Sequence, residues 1–168
     1  MPAPGTPEPS SAAARARMVR QGQAHTSPEV ALRHELRRRG IGYRVDVALP
    51  LKGVRRRADI AFIARKVAVF VDGCYWHVCP QHATWPKASA EWWRAKLEAN
   101  VRRDRDTDAR LDDAGWTVVR VWEHESPTQA ADRVADAIGR TAAAPREPRP
   151  SRAGRPAGGP SARSARTR

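Results

Sequence analysis

The six residues Val67–Asp72, VAVFVD, constrain the fold of this chain more than any other segment. Five consecutive apolar residues, three of them valine, are followed by an aspartate and then a glycine. A short apolar run of this kind, without polar alternation, is typical of a strand buried inside a sheet. The sequence therefore predicts a sheet in which this strand is central.

The flanking segments predict further strands and helices in alternation. Alternating or apolar runs indicate strands at 43–49, 59–63 and 116–123. Helical spacing with start and stop signals indicates helices at 27–39, 90–114 and 127–138, the first with Val30, Leu32 and Leu36 facing inward. The resulting order, α-β-β-β-α-β-α, predicts an α/β fold with a mixed β-sheet flanked by helices.

The two ends of the chain differ in composition from the middle. Residues 1–15 are small and Pro-rich, which predicts a disordered N-terminal tail. Residues 143–168 are rich in Pro and Arg, which predicts a basic disordered tail able to contact phosphates. A single domain is expected over 16–142.

The charge of the chain favours an anionic partner. Its formal net charge is +13, from 31 basic and 18 acidic residues, and the C-terminal tail accounts for only part of this excess. Such a charge is typical of proteins that bind nucleic acid. No apolar run approaches the roughly 18 residues that cross a bilayer, and no secretory signal is recognisable, so we expect a monomeric cytoplasmic protein associated with the nucleoid.

Thiol and imidazole side chains are concentrated around one loop. Cys74 and Cys79 are the two cysteines of the chain; His82 lies in the same loop, and His124 follows the last predicted strand. Two Cys and two His are a ligand set that tetrahedral Zn²⁺ prefers, and four protein ligands make such a site structural. The spacing Cys-x4-Cys-x2-His is uncommon among zinc fingers, and buried thiols beside surface histidines are the alternative.

Acidic residues at strand ends suggest a second metal. Asp59 opens a predicted strand after the basic residues 55–57, and Asp72 closes the next. A carboxylate there can hold Mg²⁺ against a phosphate, and His77 in the adjoining loop can accept a proton from water. An isolated aspartate at a strand end is more often a turn residue, but Asp59, His77 and Glu29 together favour catalysis.

Aromatic residues are concentrated next to the same loop. Tyr75 and Trp76 lie within it, and Trp93 follows near the start of a predicted helix among basic residues. Planar side chains beside positive charge can stack on bases or wedge between them. We expect these three residues to contact DNA, whereas packing is the better interpretation of the remaining tryptophans considered, Trp85, Trp116 and Trp122.

The same segments closely resemble the very short patch repair (Vsr) DNA mismatch endonucleases. The resemblance is carried by VFVDGCYWHVCPQH, by EWWRAKLEANVRRDRDTDARLDDAGWTVVRVWEHE and by the upstream HTSPEVALRHELRRRGIGYRV, and it covers residues 16–125. It implies a fold like that of type II restriction endonucleases. It also implies Mg²⁺-dependent nicking of double-stranded DNA, 5′ of the T in a T:G mismatch left by deamination of 5-methylcytosine.

The resemblance also implies roles for individual residues. Asp59 matches the metal-binding aspartate, and Val71 the residue whose backbone carbonyl approaches that metal. His77 matches the catalytic histidine, with Glu29 as its supporting carboxylate. The further matches are an acidic position near the site, three wedging aromatics and an inserted N-terminal side chain: Asp104, Tyr75, Trp76, Trp93 and Met18.

The chain departs from the family pattern at several positions. Ala58 replaces a common proline before Asp59, and Val71-Asp72 replaces the Thr-His of the best-known members. The second change substitutes a carboxylate for an imidazole, so Asp72 could bind metal or transfer a proton. The zinc ligands use a different His/Cys mixture, and no (D/E)-x-K pair follows Asp59, which favours His77 as the proton acceptor.

Two other functions remain open at this point. A nuclease of the same fold could act in restriction or defence on intact or modified DNA, without a preference for mismatches. A catalytically inactive, zinc-stapled DNA-binding module is the second alternative, although the presence of Asp59, His77 and Glu29 argues against it. For a mismatch endonuclease, mismatch-repair proteins are candidate partners.

Overall fold

A four-stranded mixed sheet organises residues 26–143, the part of the chain that the computed structural model describes. Its strands are β1 (Arg44–Ala48), β2 (Arg57–Phe62), β3 (Val67–Asp72) and β4 (Thr117–Trp122), in the order β1-β2-β3-β4. The pairs β1–β2 and β2–β3 are antiparallel, whereas β3 and β4 are parallel. The predicted mixed sheet, with Val67–Asp72 as an inner strand, is confirmed.

Three helices pack on this sheet, in the predicted order along the described residues. They are α1 (Ser27–Arg38), α2 (Ala90–Asp113) and α3 (Pro127–Ala143), and a short 3₁₀ turn at Ile63–Arg65 joins β2 to β3. The last helix continues beyond the predicted residue 138, because the next proline that would stop it is Pro145. Within residues 26–143 no helix is long and apolar enough to cross a membrane.

The two faces of β3 contribute to two different cores. Val67 and Val69 are fully buried against α1 and α3, in a core that includes Leu32, Leu36 and Val134. Ala68 and Phe70 point to the opposite face and pack with Leu111 of α2 and with Trp116. This burial on both faces explains why VAVFVD carries no polar alternation. The packing predicted for Trp116 is confirmed by its 7% exposure.

Two apolar residues predicted to be buried are exposed instead. Val30 is 37% exposed, because the inward stripe of α1 is formed by Glu29, Leu32, Arg33 and Leu36 at helical spacing. The charged pair Glu29–Arg33 therefore occupies positions that a purely hydrophobic stripe would give to apolar side chains. Trp85 is 50% exposed in an irregular segment, with the Arg94 guanidinium 6.0 Å from its ring centroid.

The sheet brings three chain segments to one end. Since β2 runs antiparallel to β3 and β4 runs parallel to it, the start of β2 lies beside the ends of β3 and β4. This geometry places Asp59, Asp72 and His124 at the same end of the sheet. The loop 73–89 begins there. Met18 and the predicted tails lie outside the described residues, apart from Ala143, which ends α3.

Candidate active site and metal cluster

The four residues predicted to bind zinc converge in the structure. We call Cys74, Cys79, His82 and His124 the metal cluster, because their ligand atoms all lie within 4.8 Å of one another. The Nδ1 atoms of His82 and His124 are 3.2 Å apart. The Cys79 Sγ atom lies 3.8 Å from each of these nitrogens, and the Cys74 Sγ atom lies 4.0 Å from that of His82 and 3.0 Å from that of His124.

These separations fit a tetrahedral metal ion. Ligands at metal distances of about 2.0–2.3 Å lie roughly 3.3–3.8 Å from one another around a tetrahedral zinc. Both cysteines are free and buried. Burial, followed by the contact with Cys79 and the charge of Glu123, raises the pKa of Cys74 to about 12. A thiolate at Cys74 therefore requires a cation, which the cluster is shaped to receive.

The loop that carries the cysteines is a tight, hydrogen-bonded turn. The N–H of His77 donates to the Gly73 carbonyl at 3.1 Å, and the N–H of Cys79 to the Cys74 carbonyl at 2.9 Å. The Cys74 N–H donates to the Glu123 carboxylate at 2.7 Å. Val78 adopts a φ of 54°, which a β-branched residue holds only under constraint. His77 is thus fixed between the two cysteines of the metal cluster.

Asp59 lies beside this loop in an environment that penalises its charge. Its Oδ2 atom accepts a 2.7 Å hydrogen bond from the N–H of Val71. Burial raises the pKa of Asp59 to about 6, and the negative charges of Glu29 and Asp72 add to this rise. Carboxylates gathered around a strand end, with the charged form destabilised, are suited to a divalent cation. Asp59, and the backbone of Val71 beside it, could hold such an ion.

His77 lies between two carboxylates. Its Nδ1 atom is 2.6 Å from Oδ2 of Asp104 and 3.5 Å from Oδ1 of Asp72. Burial alone would lower the pKa of His77, but the hydrogen bond to Asp104 and the charge of Asp72 outweigh it and raise the pKa. Burial would likewise raise the pKa of Asp104, yet the same hydrogen bond and nearby positive charges lower it.

The hydrogen bond of the His77 imidazole goes to a carboxylate other than Glu29, the supporting carboxylate expected from the resemblance. The carboxylate hydrogen-bonded to the imidazole is that of Asp104, which lies on α2. Glu29 instead accepts a hydrogen bond from Arg33 at 2.9 Å and one from the Thr26 hydroxyl at 3.0 Å. The negative charge of Glu29 also adds to the rise in the pKa of Asp59.

Arg120 connects the carboxylates around His77 and was not anticipated. Its Nη1 atom donates to both oxygens of Asp72, at 2.9 and 2.8 Å, and its Nε atom to both oxygens of Asp108. The signal available in the sequence was a charged residue inside the apolar strand TVVRVW. We call the group around His77 the histidine cluster: Asp72, His77, Asp104, Asp108 and Arg120.

The aromatic residues of the loop and α2 form one group. The ring centroids of Tyr75 and Trp76 are 5.1 Å apart, and each lies within 6 Å of the Trp93 centroid. Trp93 is only 8% exposed, so in this structure it supports the other two rings instead of offering a face of its own. Asn100, also unanticipated, donates a hydrogen bond to the Trp76 carbonyl at 3.1 Å and so ties the loop to α2.

Comparison with known proteins identifies relatives that share most of the chain. The family model described as DNA mismatch endonuclease Vsr matches residues 10–82. The type II nicking enzyme V.NaeI of Lentzea aerocolonigenes is 46% identical over 133 residues, which are 79% of this chain and 80% of the relative. The type II nicking enzyme V.NmeDIP of Neisseria meningitidis serogroup C is 36% identical over 67% of this chain and 77% of its own length.

A relative from Escherichia coli K12 carries the family's name. It is the DNA mismatch endonuclease Vsr, 34% identical over 103 residues, which cover 58% of this chain and 61% of that protein. The family model covers β2 with Asp59, both cysteines of the metal cluster and the loop as far as His82. With the relatives from Lentzea and Neisseria aligned over two thirds of the chain or more, the protein belongs to the Vsr family and is a DNA endonuclease.

Proposed function

We propose that this endonuclease nicks one strand of double-stranded DNA on the 5′ side of the T in a T:G mismatch, in a reaction that depends on Mg²⁺. The observation that carries the proposal is the convergence of Asp59, the His77–Asp104 pair and the Tyr75–Trp76 rings at one end of the sheet. A carboxylate for a metal, a proton acceptor and a stacking surface are the parts that such a reaction needs. The E. coli relative, named a mismatch endonuclease, supports the same substrate.

Each residue of the site has a separate role in the proposed reaction. A bound Mg²⁺ would activate water and neutralise charge developing at the phosphate, held by Asp59 and the backbone carbonyl of Val71. His77 accepts the proton of the attacking water through Nε2, because Nδ1 faces Asp104. Asp104 fixes the ring and stabilises the imidazolium that forms. Glu29 contributes negative charge beside Asp59 from α1.

Recognition of the mismatch is proposed to use the aromatic group. Tyr75 and Trp76 are both partly exposed and rest on the buried Trp93. A mismatched step is easier to unstack than a paired one, so aromatic rings pressed against it favour the mismatch energetically. Met18, outside the described residues, is proposed to insert from the other groove, as the family resemblance implies.

Zn²⁺ is the ion proposed for the metal cluster. Two thiolates and two imidazoles at tetrahedral separations suit zinc, and four protein ligands leave no open position for substrate. The role is structural: the ion holds the loop that carries both His77 and the aromatic rings. We also propose that the mixed sheet with its flanking helices is a variant of the restriction-endonuclease fold, with the site at the shared end of β2, β3 and β4.

A nicking assay on paired duplexes tests this proposal. The purified protein is expected to cut a T:G duplex at least about fivefold faster than the matched C:G duplex, and only with Mg²⁺ present, since one stacking contact contributes about 1–3 kcal/mol. Equal cutting of both duplexes would instead indicate a nuclease for intact DNA. Cutting of neither, by a protein that binds both, would indicate a DNA-binding module without catalysis.

Asp59→Asn tests the metal site separately from folding. Because the cation contributes several kcal/mol of charge stabilisation, we expect the nicking rate to fall by roughly three orders of magnitude. The free energy of unfolding should stay the same or rise, since burial already penalises the charge of Asp59. Nicking at the wild-type rate by Asp59→Asn would remove Asp59 from the catalytic site.

A further inference from the structure

We infer that Arg120 is a positioning residue that selects Asp104 as the carboxylate on which His77 is oriented. By occupying both oxygens of Asp72, it leaves Asp104 as the acceptor for the Nδ1–H of the imidazole. This inference deepens the proposed function, since it rests on His77 acting as the proton acceptor of the nicking reaction.

The selection is needed because His77 has two carboxylates within reach. Asp72 is 4% exposed, and its Oδ1 atom is 3.5 Å from Nδ1, only 0.9 Å farther than the Asp104 oxygen at 2.6 Å. A buried carboxylate without a partner would compete strongly for that proton, because its charge is poorly solvated. A small rotation of the ring toward Asp72 would carry Nε2 away from its working position.

Arg120 removes this competition by direct contact. One nitrogen, Nη1, donates to Oδ1 and Oδ2 of Asp72 at 2.9 and 2.8 Å. The hydrogen bonds neutralise the Asp72 carboxylate and occupy lone pairs on both of its oxygens. The Asp104 side chain, in contrast, has its shortest contact with His77 itself, and the distance from Oδ1 of Asp104 to Arg120 is 3.8 Å.

The orientation of Arg120 is itself fixed by Asp108 and by the Phe70 ring. Its Nε atom donates to Asp108 at 3.1 and 3.0 Å, and Nη2 adds a third contact to the same carboxylate at 2.9 Å. The guanidinium carbon lies 4.7 Å from the centroid of the Phe70 ring, at cation–π distance. The planar group is therefore fixed in the orientation that covers Asp72, which lysine could not reproduce.

A double substitution separates positioning from a purely structural role. In Arg120→Gln, the uncovered Asp72 should draw His77 away from Asp104, and a displacement of about 1 Å can slow a reaction roughly 100-fold. In Asp72→Asn combined with Arg120→Gln, the competing charge is gone. The double variant should then nick at least about fivefold faster than Arg120→Gln alone, a non-additivity expected of residues in contact.

The rates are measured as single turnovers at saturating DNA, on whichever duplex the wild-type protein cuts, at least about 20 °C below the Tm of each variant. Arg56→Gln is the matched control: Arg56 has a similar side-chain exposure, 25% against 22%, and bonds to Thr107. The Nδ1–H signal of His77 in ¹⁵N-resolved NMR gives a second readout, expected to shift in Arg120→Gln and to return in the double variant.

Two results would overturn the inference. Folded Arg120→Gln that nicks at the rate of Arg56→Gln would show that Arg120 serves stability alone. A double variant no faster than Arg120→Gln, with an unrecovered His77 signal, would show that Asp72 is not the competitor. Because all rates are ratios on one duplex, the loss of a T:G preference would defeat the mismatch proposal without altering this test.

Discussion

The metal cluster and the histidine cluster share one loop but balance their charges in opposite ways. In the metal cluster, the ligand atoms of two cysteines and two histidines contact one another, and each cause that shifts the pKa of Cys74 raises it. In the histidine cluster, three carboxylates surround Arg120 and His77 and are hydrogen-bonded to them. The thiolate form of the first arrangement requires an added cation, whereas the carboxylates of the second are hydrogen-bonded to protein groups.

This difference indicates that the two clusters have different roles in the loop. In the proposed function, the metal cluster supplies stability that depends on an ion, and the histidine cluster supplies orientation that depends on side-chain contacts. Removing the ion should therefore damage both clusters, because the loop carries His77 between Cys74 and Cys79. Substitutions in the histidine cluster should slow the reaction while the loop stays folded.

Removal of zinc should have the largest effect. A metal ion whose free concentration is a thousandfold above its Kd stabilises a fold by about 4 kcal/mol. Chelation should therefore lower the Tm by roughly 10 °C or more and abolish nicking. His82→Ala should reproduce most of this loss, although His82 is exposed. The measurements are thermal unfolding and metal analysis of the purified protein.

The exposed His34 of α1 provides the matched control for His82. Substitutions at exposed positions usually change stability by less than about 0.5 kcal/mol, so His34→Ala should melt with the wild type. Equal stability of His82→Ala and His34→Ala, with no further change on chelation, would mean that the metal cluster holds no structural ion.

His77→Ala tests the histidine cluster while the metal cluster keeps all its ligands. Removing a general base typically costs about 10²–10⁴ in rate, so we expect a loss near 10³ in single-turnover nicking. The metal cluster would remain intact, and the Tm and the zinc content should match those of the wild type. A His77→Ala protein that nicks normally would transfer the proton-accepting role to another group.

Asp104→Asn should have a smaller effect on the same step. The amide oxygen can still accept the Nδ1–H bond but carries no charge to stabilise the imidazolium, so we expect the rate to fall by roughly 10-fold to 100-fold. Glu29→Gln serves as the comparison, because Glu29 lies near Asp59 and bonds to Arg33. If only Asp104→Asn changes the NMR signal of the His77 ring, the pairing of His77 with Asp104 is supported; a change only in Glu29→Gln would support Glu29 as the partner.

Trp76→Ala should have the smallest effect, confined to substrate preference. Loss of one stacking ring costs about 1–3 kcal/mol, which predicts a roughly 5-fold to 150-fold loss of discrimination between T:G and C:G duplexes. Trp85→Ala is the control, since Trp85 is half exposed and pairs with Arg94 outside the aromatic group. A similar loss from both variants would assign recognition to general aromatic surface rather than to Trp76.

Much of the fold follows from local pattern. The apolar run Val67–Asp72 predicted an inner strand, and the helix starts near Ser27 and Pro127 follow from their capping and proline signals. The inward face of α1 was wrong at Val30, because a buried ion pair at Glu29 and Arg33 replaces apolar side chains in the stripe. Hydrophobic periodicity cannot predict that a charged residue is buried when its charge is neutralised by a neighbouring side chain.

The site was predictable where one loop carries its residues and unpredictable where strands and helices meet. Cys74, Cys79 and His82 are close in sequence, and His124 was expected from the end of a neighbouring strand. The contacts of Arg120 with Asp72 and Asp108 join β4, β3 and α2, so they depend on register and side-chain direction. The pairing of His77 with Asp104 across 27 positions has the same origin.

Mapping the cut on a duplex with a single T:G mismatch, with each strand labelled in turn, is the direct test of mismatch nicking by this site. With Mg²⁺ and zinc-loaded protein, we predict one nick, in the T-containing strand, immediately 5′ of the T, and no nick in the G-containing strand. Cuts in both strands, or the same cuts on the matched C:G duplex, would contradict the claim that this site recognises and nicks a mismatch.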